Sequence, residues 1–361
     1  MTKYIFKISI LGLGLSMACN DNTSMRNVDL DESAFLINIG SNIIVPAYED
    51  LVSEVETLHA SVGTFTESPT VINLSSLRTQ LKAARLSWQA VNMLGFGPAA
   101  DVSLTAQANI FPVDKNQIEK NIESATYDLG SLSNNDAKGF PGIAFLIYGD
   151  DKTDEQIIEL FTTDANAQNR IQYLKDISAN MESSAKAVLQ AWESEYLVQF
   201  TASSSYGSSV GSSASQLFNT MVQTYERQTR DGKIAIPVGV RTNGEIIPTS
   251  TEAYYGGYSA ELAIANIQQY RSIFTGNTAA GFDDYLIAHG REDLVAEAIE
   301  NFDAVLAKLA LVSDPLSDHI INDQAAVEAV FIAMQELVNL LKTDIASQLS
   351  IEITFTDTDG D

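Results

Sequence analysis

Apolar residues recur along this chain at steps of three and four, the spacing that gathers them on one face of an α-helix. Leu51, Val55, Leu58 and Val62 make one such stripe. Leu74, Leu77, Leu81, Ala84, Trp88 and Val91 make a second, with Asn73 ahead of it as the expected N-cap. Ile171, Leu174, Met181, Ala185, Val188 and Trp192 mark a third helix. Leu294, Ala298, Phe302, Val305 and Leu309 mark a fourth, and Ala326, Val330, Leu337, Leu341 and Ile345 a fifth. Pro46 falls inside the first pattern, where its ring and missing N–H are expected to kink or break the helix. Strand-like alternation is scarce. Residues 233–247 predict a hairpin turning at Asn243-Gly244, and residues 351–355 a short extended piece.

Residues 201–215, TASSSYGSSVGSSAS, are dense in Ser and Gly and read as a connector. A helix with one apolar stripe needs partners to cover it. The expected architecture is therefore all-α, two helical bundles side by side with few short strands. The first covers residues 31–202 and the second 203–361.

Length and charge narrow the functional classes. The chain has 361 residues, with 45% hydrophobic, enough for two domains of ordinary size. Its 47 Asp and Glu against 21 Lys and Arg give a net charge of −26, which argues against nucleic acid and against electrostatic docking on an anionic membrane. The N-terminus reads as a targeting segment. Lys3 and Lys7 precede an apolar run, residues 8–17, too short for a lasting membrane span. The run stops at Ser16-Met17-Ala18-Cys19, which resembles a bacterial lipobox, and Cys19 is the chain's one cysteine. Lipid attachment at Cys19 explains it better than a disulfide. Residues 1–19 are then a lipoprotein signal peptide ending at the lipidated cysteine, and residues 20–30 a polar tether. The expected membrane partnership is through that anchor.

Residues 139–149, GFPGIAFLIYG, carry the most functional information. With the Phe96-Gly97-Pro98 end of residues 86–101, the run from Asn219 through Glu226, Lys233, Pro237 and Gly239, the Glu252, Tyr255 and Ser259 segment, and the ending ITFTDTDGD, they resemble the imelysin family, the M75 peptidases and their relatives in ferrous-iron uptake. The resemblance runs from about residue 35 to the end. It implies two helical bundles with a cleft between them, in the cell envelope. The family's signature is GxHxxE, whose His and Glu project from one helix face and can share a metal ion. Gly139, Phe140, Phe145, Leu146, Tyr148 and Gly149 follow the line, but Pro141 stands for the His and Ala144 for the Glu, and neither side chain has a lone pair to give. Asn92 stands where the family often has another Glu. Without those ligands, the segment reads as a helix entry with an apolar face, Pro141 suiting its first turn.

No other local signature supplies catalysis. The three histidines, His59, His289 and His319, have no partner at zinc-pair spacing, and His289 is expected to bond helix-terminal carbonyls. Asp357, Asp359 and Asp361 begin like a calcium loop but lack its downstream ligands, and Asp150-Asp151 reads as a solvated turn. The cleft implied by the resemblance would be lined by Trp88, Asn92, Phe140, Pro141, Ala144, Tyr148, Lys233, Arg241, Glu252, Tyr255 and Ser259, with Tyr254 and Tyr258 beside them. Trp88 reads better as a core residue than as a cleft residue, while Glu252 and Tyr255 fit either role equally. The expectation is a lipid-anchored envelope protein that binds a small molecule, a peptide or a partner protein, with no catalytic residue, metal or cofactor. The alternative is an active metallopeptidase or iron-uptake component with a rearranged metal site, built for example from Glu226, Glu252 and an aspartate.

Overall fold

The computed structural model describes residues 31–356. The expected signal peptide, Cys19, the tether and the three C-terminal aspartates therefore lie outside the described residues. The chain's regular elements are all helical, with no strand among the described residues. It begins with α1 (Glu32–Ile37), N-capped by the Asp31 carboxylate on the Ala34 N–H at 3.1 Å. A π-helical stretch, Asn38–Ile44, runs straight into α2 (Val45–Glu67). Pro46 thus neither breaks nor ends the helix. It sits in the first turn of α2, at the change of winding, where the regular hydrogen-bond ladder is already interrupted.

Next comes α3 (Val71–Val91). Its N-cap is Thr70 and not Asn73: the Thr70 hydroxyl accepts from the Asn73 N–H at 3.2 Å, while the Asn73 amide donates back to the Ser68 carbonyl at 2.8 Å. Then α4 (Lys115–Ser124), α5 (Gly139–Tyr148), α6 (Asp154–Thr162) and α7 (Ala167–Ala191) complete the first half. Here α3 and α7 both pack along α2, and α5 fills the space against α3 and α7. Every stripe residue of α3 is buried, as are Leu51, Val55, Leu58 and Val62 of α2.

The second half starts at α8 (Ser213–Thr224), after a Ser- and Gly-rich connection with only short helical turns. The expected hairpin over 233–247 is not formed. A π-helical segment, Tyr225–Ala235, extends α8 through Lys233, and turns follow to residue 244. Only the turn chemistry was right: Asn243 and Gly244 both have positive φ. Within the π-helical segment Glu226 and Arg230, four apart, meet on one buried face. After a loop, α9 (Ser259–Thr275), α10 (Phe282–Ala288), α11 (Glu292–Leu309) and α12 (Gln324–Leu340) close the fold. His289 caps α10 as expected, its Nδ1 lying 2.7 Å from the Tyr285 carbonyl. Residues 351–355 are extended without pairing to a strand; the Asn219 amide holds them, donating to the Glu352 carbonyl at 2.9 Å and accepting from the Thr354 N–H at 2.8 Å.

One hydrophobic cluster runs through both halves, from Phe35 to Ile351. The halves join mainly where α3 packs on α9. The first helix crosses the divide as well. Phe35 meets Phe282 and Tyr285 edge-on at 5.0 Å, and the Asn38 amide donates to the Gly276 and Ala280 carbonyls at 3.0 and 2.9 Å.

Candidate functional site

Gly139 opens α5 with a φ of 65°, and a Cβ there would collide with the Ala108 carbonyl. Only glycine lets the helix start this close to the preceding chain. Pro141 follows in the first turn, where its missing N–H costs nothing. Its ring and the Ala144 methyl, one helical turn on, form the floor of a cavity of about 210 Å³. Arg85 of α3 forms another wall. Phe111, Pro112 and Val113 close one side, and the loop carrying Thr249, Thr251, Glu252, Tyr254 and Tyr255 closes the other, with Lys115 and Asp150 at the rim. The cavity therefore lies between the two halves of the chain. Lys115 and Asp150 pair at 2.6 Å, both well exposed.

Behind the cavity sits a buried polar cluster. Glu252 is 3% exposed and Lys233 2% exposed, and they form an ion pair. The second carboxylate oxygen accepts from Gln89 Nε2 at 3.0 Å and Asn109 Nδ2 at 2.8 Å. Lys233 also donates to Gln89 Oε1 at 2.8 Å. Burial works to raise the Glu252 carboxyl, but the Lys233 ammonium, with Arg85 and the hydrogen bonds, holds it below its ordinary value, so it is ionised. Burial lowers the Lys233 ammonium, with Glu252 opposing and Arg85 assisting. Arg85 donates through Nη2 to the Glu252 carbonyl.

The same network continues along α9. Asn266 donates to the Gln89 carbonyl at 3.0 Å and to Asn92 Oδ1 at 2.9 Å. Ser259 Oγ accepts from the Ala253 N–H at 3.0 Å and so fixes the loop that carries Glu252. Asp314 caps α9, accepting from the Ala260 and Glu261 N–H groups at 2.8 and 3.0 Å.

The eleven residues expected in the cleft thus separate. Pro141, Ala144, Glu252 and Tyr255 line the cavity. Lys233, Asn92 and Ser259 belong to the buried cluster behind it. Trp88 and Phe140 are core, their rings 6.2 Å apart. Tyr148 lies outside, under the Arg78 guanidinium at 4.5 Å, beside an open depression with Asp150, Asp151 and Asp318. Arg241 is elsewhere, exposed, pairing with Asp231 at 3.2 Å and facing the Phe331 ring. Arg85, Gln89, Asn109 and Phe111 were not anticipated. Arg85 and Gln89 had a signal: Leu81, Arg85, Gln89 and Asn92 step by four, four and three, a polar continuation of a buried face.

The donor set does not fit the metal that the family signature implies. Pro141 and Ala144, at the positions where the signature ligands are expected from the sequence, carry no donor atom, and both oxygens of Glu252 are engaged. The alternative pairing of Glu226 with Glu252 is not formed as a ligand set. Glu226 is fully buried against Arg230 at 3.6 Å and Lys342 at 3.1 Å, and no group of three or more His, Cys, Asp or Glu side chains comes together among the described residues. His59 meets Ser178 at 2.8 Å and His319 the Ser313 N–H at 3.1 Å.

The fold has known counterparts. A crystal structure of an iron-regulated protein A precursor from Parabacteroides distasonis superposes with a TM-score of 0.72, at 18% identity, over 88% of this chain and 94% of the other. An imelysin-like protein from Psychrobacter arcticum gives 0.71, also at 18% identity, over 90% and 97%. Iron-regulated protein A of Synechococcus elongatus is 23% identical over 129 residues, a match spanning 35% of each chain. The imelysin family model matches residues 44–344. With that model covering most of its length, this chain belongs to the imelysin family.

Proposed function

We propose that this protein is a ligand-binding envelope lipoprotein, not a hydrolase, holding a small molecule, a peptide or a segment of a partner protein in the cavity between its halves. The observation that carries this reading is the composition of the cavity wall. A ring and a methyl group stand where family members offer an imidazole and a carboxylate, and the nearest buried carboxylate, Glu252, is committed to Lys233, Gln89 and Asn109. Enclosure between apolar and aromatic walls with a few polar groups is the usual make-up of a ligand site. Assay of the purified protein against unstructured peptides, with and without chelator and with added zinc or iron, tests it. No cleavage is expected under any condition; cleavage that a chelator abolishes overturns the reading.

Attachment through Cys19 is part of the same proposal. Cys19→Ser is expected to move the protein from the membrane fraction to the soluble fraction, and an unchanged membrane fraction counts against the anchor. The names of two relatives, iron-regulated protein A, favour a role tied to iron supply. Slower growth of a deletion strain under iron limitation, restored by the wild-type chain, is the expected result.

A further inference from the structure

We infer that the cavity is an anion site, taking a small carboxylate-bearing molecule with an apolar body whose carboxylate pairs with Arg85. The inference rests on the proposed ligand-binding reading and names the chemistry of the ligand.

The argument starts from a charge imbalance. Two cations, Arg85 and Lys233, share one buried carboxylate, Glu252, and that carboxylate is taken by Lys233 and two amides. Arg85 donates to the main-chain carbonyl of Glu252 and interacts with Tyr258, whose ring is 5.8 Å from the guanidinium; both partners are uncharged groups. No carboxylate pairs with Arg85 among the described residues, and its Nε is buried without a hydrogen-bond partner. Yet Arg85 is only 1% exposed and forms a wall of the cavity. A buried guanidinium with an unpartnered N–H and no carboxylate of its own is costly, and the open space beside it is where one would enter.

The remaining walls choose among anions. A planar guanidinium presents two parallel N–H groups that match a carboxylate. Only one positive charge is uncompensated, since Lys115 at the rim is held by Asp150. That suits a monoanion better than a phosphate dianion. Phe111, Pro112, Pro141 and Ala144 offer apolar surface for the rest of the ligand, and Tyr255 an aromatic face. The volume of about 210 Å³ accommodates one ring with a carboxylate, given that an apolar cavity of roughly 150 Å³ holds benzene. The substitutions at Pro141 and Ala144 then have a joint consequence. They take a cation-gripping pair of side chains out of the wall and leave the arginine as its dominant charge.

Titration calorimetry on the whole purified chain decides the matter, with benzoate and phenylacetate as probes and the uncharged benzamide and phenylacetamide as controls. The carboxylates are expected to bind at least about tenfold more tightly than their amides, the worth of a charge-assisted hydrogen bond. Arg85→Met removes that difference. Should Arg85→Met fail to fold, Ala144→Leu leaves the arginine in place, fills the cavity and is expected to abolish carboxylate binding, and the acid–amide comparison on the wild type stands by itself. Equal binding of acids and amides overturns the anion site while leaving the cavity a ligand site. Inorganic phosphate binding more tightly than both carboxylates, or no binding of either, also overturns it. Chelator-sensitive peptide cleavage overturns instead the reading on which it rests.

Discussion

At Glu252 a carboxylate with almost no solvent contact stays ionised because an ammonium and two amides surround it. Glu252→Gln would strand Lys233 and Arg85 without any compensating charge. Loss of one partner from a buried pair typically costs about 3–5 kcal/mol, and urea denaturation at pH 7 is expected to show a loss of that order. The pH dependence follows from the direction of the shift. Glu252 is held below its ordinary value of 4.5, so its contribution is fully present above that pH and fades as pH falls through the lower folded value. The gap between wild type and Glu252→Gln should therefore be widest near neutrality and narrow in acid. Asp283 shows the opposite sign. Burial, then the neighbouring Asp284, push its carboxyl up to about 6. Ionised at pH 7, it opposes folding, and relief of that cost by Asp283→Asn should add about 1 kcal/mol, allowing for partial exposure. The gain should shrink as pH drops from 6 towards 3.8, where the wild-type carboxyl becomes protonated in both states. A gain that grew in acid would contradict this.

Among the elements, α5 matters most because it carries the cavity floor. Its start depends on a single glycine whose Cβ would meet the Ala108 carbonyl and whose φ is 65°. Gly139→Ala is expected to lose about 2 kcal/mol or more in thermal or urea unfolding, and to weaken binding of any cavity ligand by displacing Pro141 and Ala144. Gly63, near the C-terminal end of α2, is the contrasting case. Nothing lies within 4 Å of its missing Cβ, so Gly63→Ala should gain roughly 0.5–1 kcal/mol from helix propensity alone. The elements also show what the sequence made readable. Stripes at three- and four-residue steps located the long helices because burial enforces that period. The segment 233–247 misled, because short runs of mixed polar and apolar residues fit both a hairpin and a helix. The choice was made by contacts distant in sequence, Glu226 with Lys342 and Lys233 with Gln89. Arg85 and Gln89 were missed for a related reason: a polar residue on a buried face reads as an outlier until its partner, here 163–167 residues away, is known.

In the whole molecule the two halves are less separable than a Ser- and Gly-rich connector suggests. Phe35 and Asn38, at the start of the described chain, pack on α10 and on the turn before it. Phe145 of the first half meets Tyr255 of the second at 5.7 Å. The polar cluster spans the joint, with Arg85, Gln89 and Asn109 on one side and Lys233, Glu252 and Asn266 on the other. Lys233 and Glu252 would keep each other, but Arg85, Gln89 and Asn109 would lose the partners they reach across the joint. The connector is open at its tip: Val210 is 52% exposed, and nothing lies within 4 Å of the missing Cβ at Gly207 or Gly211. A specific protease site inserted after Val210 should therefore cut cleanly without separating the pieces. Gel filtration of the cut protein is expected to give one species of unchanged size, with the fragments parting only in denaturant. Two species eluting separately in native buffer would mean that the joint between α3 and α9 is too weak to shape a cavity, and that any ligand site must be sought within one half.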